Sequence, residues 1–121
     1  MPIKLKSVKV DIKWSDRKGD AEKAAKNAAT TVLGKAKVAK DYLVELSVKV
    51  EHDPKNGAKA TSTFLLTEGG KLVPGVAVSK GGSVTVSFTG DTPPPKVVTE
   101  AVDGIVTDLL EKLVKVLEKL K

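Results

Sequence analysis

The chain has no cysteine, one histidine, one methionine and four aromatic residues among 121. Without cysteine there can be no disulfide, no Cys-ligated zinc, no iron–sulfur cluster and no thiolate nucleophile. A single histidine leaves little for imidazole-based catalysis or metal binding. No apolar run approaches the roughly 18 residues of a membrane span, and MPIKLKSVKV lacks the continuous apolar segment of a secretory signal. The expectation is one cytoplasmic domain, non-enzymatic, with no cofactor and no metal. Scarce Cys and Met beside 30% charged residues suit a thermostable or a designed sequence equally.

What is present is unevenly placed. Residues 1–40 carry eleven Lys and Arg against four acids, a net +7, whereas residues 41–121 carry ten against eleven, giving +6 for the whole chain. Segregated positive charge attracts phosphates or acidic surfaces over about 10 Å at ~0.1 M salt. Lys4, Lys6, Lys9, Lys13, Arg17, Lys18, Lys23 and Lys26 are therefore candidates for contact with a polyanion such as RNA, DNA or a ribosome surface. With so few rings for base stacking, backbone and shape recognition would have to dominate. The plainer reading is that these lysines solvate the molecule and guard a strand edge.

Hydropathy patterning sets the element order. Ile3 and Leu5 alternate on one phase and Val8, Val10, Ile12 and Trp14 on the other, so a strand with a bulge near Lys6–Ser7 is predicted. Ser15 and Asp16 can cap a following helix whose Ala21, Ala24, Ala25, Ala28 and Val32 form a narrow face, with Gly34 as its stop. Val44 to Glu51 and Ala58 to Thr67 alternate as strands joined by the turn residues Asp53-Pro54-Lys55-Asn56-Gly57. Strands over Leu72–Ser79 and Val84–Thr89, bracketed by Gly69-Gly70 and Gly81-Gly82, precede the stiff Thr92-Pro93-Pro94-Pro95 and a helix to Lys121. Pro74 demotes its own strand to an edge or a broken piece. The prediction is an α+β fold, β-α-β-β-β-β-α, with an antiparallel sheet covered on one face by both helices. That order is similar to the topology of ribosome-hibernation factors and of helix-grip ligand carriers, a likeness with little functional weight.

The last helix carries a heptad seam at Val102, Val106, Leu109, Leu113, Val116 and Leu120, with further apolar residues beside it. About 26 residues would span roughly 39 Å, against about 24 Å across five strands. A coiled-coil-like homodimer or higher oligomer through this seam is the expectation, and a long core helix is the alternative. A structural scaffold without ligand, or a carrier of an apolar ligand under the helix, are the other functional readings.

Other chemistry is weakly signalled. His52 beside Asp53 has the spacing of a proton-transfer pair, but a lone histidine next to a turn is ordinarily inert. Neither glycine pair has a phosphate-loop frame, and Asp16, Asp20 and Glu22 lack a calcium-loop pattern.

Overall fold

A computed structural model describes residues 3–38, 40–73 and 83–119. The elements are β1 (Ile3–Ile12), α1 (Lys18–Gly34), β2 (Tyr42–Asp53), β3 (Gly57–Glu68), β4 (Lys71–Leu72), β5 (Ser83–Ser87) and α2 (Pro95–Lys119). This is the predicted β-α-β-β-β-β-α order, with a long C-terminal helix. The extension of the fourth strand to Ser79, Pro74 and the Gly81-Gly82 turn lie outside the described residues, as does Leu120.

The sheet runs β1-β2-β3-β4, with β5 also on β3. It is mostly antiparallel, but β1 pairs with β2 in parallel, from Ile3 opposite Tyr42 to Ile12 opposite Val50. Parallel neighbours need a crossover, which α1 supplies. The register slips between Leu5 and Ser7, where the change of apolar phase had placed a bulge. The β2–β3 hairpin is unbroken from Leu43 opposite Thr67 to Asp53 opposite Gly57. Its turn holds Asn56 at φ 63°, a left-handed conformation that asparagine tolerates. A Cβ on Gly57 would stand 2.7 Å from Thr85 Cγ2, so the close approach of β5 requires glycine there.

Alternation sorts the strands into two faces. Val44, Leu46, Val48 and Val50 on β2 and Ala58, Ala60, Phe64 and Leu66 on β3 are buried toward the helices. Ser62 is the buried polar residue of this layer, and its Oγ donates to the Ser47 carbonyl at 2.9 Å. A short 3-10 turn over Ser15–Arg17 leads into α1, and neither Ser15 nor Asp16 caps the helix through its side chain. Ala21, Ala24, Ala25, Ala28, Ala29 and Leu33 form the buried face of α1. The small side chains let α1 lie close to both β1 and α2. Ala25→Leu inserts three carbons where no surface is exposed, and overpacking should cost about 1–3 kcal/mol, read as a lower urea midpoint with unchanged slope.

The α2 seam behaves differently from its sequence-based expectation. Val102, Val106, Leu109 and Leu113 are at most 3% exposed within the single subunit, as are Val98, Ile105, Leu110 and Leu117. They cannot serve as an oligomer seam without opening the core. Two physical reasons account for the difference. β2 and β3 have 12 residues each, so the sheet measures roughly 40 Å along its strands and has room for 25 helical residues. In addition α1 packs beside α2 and covers apolar surface that the sheet alone would leave bare. Val116 alone of the described seam is exposed, at 41%.

Candidate interaction surfaces

Three surfaces bear on function: one end of the sheet, the distribution of lysines, and the sheet face away from the helices. At the end where β1 and β2 finish, Trp14, His52 and Phe88 meet edge to face. Ring centroids are 5.5 Å apart for Trp14–Phe88 and 6.2 Å for each pair with His52. Trp14 Nε1 donates to the Asp91 carbonyl at 3.0 Å and Arg17 Nε to the Pro93 carbonyl at 2.9 Å. Asn56 Nδ2 donates to the Phe88 carbonyl, and the Phe88 amide donates to the Asn56 carbonyl at 3.2 Å. These bonds pin the stretch between β5 and α2, so the cluster is a structural clasp.

The His52–Asp53 pair does not form. Asp53 Oδ1 accepts the Lys55 amide at 2.8 Å, while His52 Nε2 faces Asn56 Oδ1 at 3.4 Å. Among the described residues no three His, Cys, Asp or Glu side chains gather to hold a metal ion.

The candidate basic residues are divided among different surfaces. Lys4 and Lys6 on β1 and Lys26 on α1 border one groove of about 450 Å³. Lys9 and Lys18 border another, shared with Asp11 and Lys49, and Lys13 lies beside Asp11, Glu51 and His52. Lys23 is on the exposed side of α1, and Arg17 is engaged with Pro93. Lys6 also lies 4.0 Å from the Glu45 carboxylate. Acids thus interrupt the lysines, and among the described residues no continuous basic track is formed. A groove of about 560 Å³ between α1 and α2 is similarly mixed, with Lys35 and Lys115 near Asp103, Glu111 and Glu118.

The open sheet face carries an apolar corner. Leu43, Leu65 and Leu72 are 38%, 41% and 57% exposed, three of the four large hydrophobic side chains that are exposed among the described residues. Thr67 stands opposite Leu43 on one side and Leu72 on the other, with Leu65 two residues before it on β3. Residues directly opposite in an antiparallel pair share a face, so the three leucines form one patch. Pairs of both signs lie around it, Lys40–Glu68 at 3.8 Å and Lys6–Glu45 at 4.0 Å. The sequence signal was available in the two adjacent leucines at 65 and 66, only one of which can point inward.

Among the described residues α2 is packed against its own sheet and α1, with no space beneath it that would suit an apolar ligand. Its inward side chains are at most 3% exposed, and a Cβ on Gly104 would touch Val84 at 3.5 Å. Among the described residues no helix is long and apolar enough to cross a membrane.

No protein-family model and no curated protein sequence matches the chain. Solved structures do match its fold. PelC from Paraburkholderia phytofirmans, a dodecamer, is 16% identical with a TM-score of 0.50, covering 88% of this chain and 87% of PelC. A protein assigned as a lipoprotein in Caulobacter crescentus CB15 is 14% identical with a TM-score of 0.54, covering 94% of this chain and 92% of that one. At such identities the likeness establishes the fold alone. Similarity to a PelC dodecamer and to a protein assigned as a lipoprotein lends no support to the expected contact with RNA, DNA or a ribosome surface, and the lysines expected to make it are divided among several surfaces, so that expectation does not hold. The chain is similar in fold to PelC and to the Caulobacter protein.

Proposed function

We propose that the chain is a non-enzymatic structural subunit that associates with copies of itself through the open face of its sheet. The observation that carries this reading is the clustering of Leu43, Leu65 and Leu72 on that face, while every described apolar side chain of the α2 seam except Val116 is consumed by the subunit's own core. A contiguous exposed apolar patch rimmed by polar groups is characteristic of an association surface. Because β4 and β5 share one edge of β3, the open face is four strands wide, roughly 19 Å by 40 Å or about 760 Å², close to the ~800 Å² per partner of a standard interface. Charges on it alternate in sign, with Lys49 and Glu51 3.2 Å apart, so two copies of the face need not repel. The dodecameric state of PelC supports the use of this fold in assembly.

Sedimentation over a range of concentrations tests the reading. The parent chain should exceed its 12.7 kDa single-chain mass, and Leu65→Glu should return it to that mass. At an exposed site the substitution should change stability by no more than about 0.5 kcal/mol. A parent chain that remains at 12.7 kDa at high concentration would refute the proposal.

A further inference from the structure

We infer that the free edge of β1 is a docking site for an extended acidic segment of another protein, which adds to the sheet as a further strand. Among the described residues nothing pairs with the outer side of this ten-residue strand. The Lys13 amide donates to the Val50 carbonyl at 3.1 Å, so by strand alternation the amides and carbonyls of Val10 and Ile12 point away from β2. Inward side chains distinguish this edge from the sheet centre. Leu5, Val8, Val10 and Ile12 are only half-buried, whereas the inward row of β2 from Val44 to Val50 is fully buried. Beside them the groove of about 450 Å³ has Ile3, Leu5, Val8 and Leu33 as its apolar lining and Lys4, Lys6 and Lys26 as its charged border.

Charge selects the occupant. β1 with its flanking Lys13 carries Lys4, Lys6, Lys9 and Lys13 against Asp11; Lys6 lies 4.0 Å from Glu45 and Lys13 beside Glu51, so Lys4 and Lys9, with Lys26 across the groove, are the cations that meet an incoming carboxylate. A second copy of β1 laid on this edge would bring two such strands together, and like charges across a ladder are destabilising. A strand alternating aliphatic and acidic residues meets both needs: its aliphatic side chains continue the half-covered row, and its carboxylates face the lysines. Backbone bonds give such a strand affinity and the side-chain alternation gives it specificity. This site lies on the edge of the sheet and does not depend on self-association through the open face.

The probe is a capped nine-residue peptide alternating glutamate and valine, titrated into the isotopically labelled full chain with amide shifts recorded. Saturable shifts confined to β1 and the facing side of α1, with half-saturation below about 1 mM, are expected. Methylating alternate peptide amides should weaken binding at least tenfold, since it removes ladder donors and leaves charge intact. A peptide of the same composition with its valines and glutamates in separate blocks should weaken equally. Val10→Pro removes an outward amide at an edge, where proline is tolerated, and should reduce binding while the chain still melts cooperatively. If that variant fails to fold, the methylated peptide still decides. Absence of shifts at 1 mM, shifts centred elsewhere, or equal binding of the methylated or blocked peptide would overturn the inference.

Discussion

Leu109→Ala should destabilise the chain by about 2–5 kcal/mol, a large fraction of the 5–15 kcal/mol available to an ordinary domain. Leu109 is 1% exposed in the layer between α2 and the sheet, with Val106, Leu110 and Leu113 around it on the helix. Truncation removes transfer energy and leaves a cavity that close-packed neighbours fill only in part. The melting temperature should drop by roughly 10–20 °C. Val116→Ala, on the same heptad seam but 41% exposed, should shift stability by no more than about 0.5 kcal/mol. The pair discriminates between a core helix and an assembly helix. Were the seam an interface, Leu109→Ala would lower the mass in solution and spare the subunit's own melt; the opposite pattern is expected.

Trp14→Ala should cost about 3–5 kcal/mol. The indole is 8% exposed, packs edge to face on Phe88 and holds the Asp91 carbonyl, 77 residues further along the chain. Its removal therefore empties a ring-sized volume and releases the tether between β5 and α2. Trp14→Phe keeps most of the ring packing and loses the Nε1 bond, so about 1 kcal/mol is expected. Urea unfolding of both variants measures the difference, and near-UV circular dichroism reports the loss of the aromatic cluster. Equal costs for the two substitutions would mean that the bond to Asp91, not the packing, dominates.

Much of the fold was legible in the chain because period-two alternation is a local property. β2 and β3 emerge within two residues of the stretches Val44–Glu51 and Ala58–Thr67. The alanine face of α1 and the β1 bulge were equally visible, the first as helical spacing and the second as a break in phase. Strand direction was not visible. Alternation on one face is the same for parallel and antiparallel neighbours, and the pairing of β1 with β2 depends on where a 17-residue helix lays the chain. The destination of the α2 stripe is not legible for a related reason: its width is a local property of the helix, whereas the strand length and the flank of α1 that cover it exist only in the folded chain.

Candidate sites were harder to read, since each depends on residues distant in sequence. The lysines of residues 1–40 are consecutive in the chain but fall on separate grooves once β1 and α1 occupy different layers. His52 and Trp14 are 38 positions apart, and no spacing rule brings them together with Phe88. The apolar corner arises from β2, β3 and β4 jointly and exists only in the assembled sheet.

The parallel placement of β1 also orders events in time. β2 and β3 are joined by a tight turn at Asn56 and can zip locally, whereas β1 must wait for α1 and β2 before it has a neighbour. On a ribosome the segment that waits is synthesised first. It opens the +7 stretch of residues 1–40, and mutual repulsion among nascent copies would keep its unpaired aliphatic row from premature contact. The asymmetry of charge then serves the unfinished chain as much as the finished one.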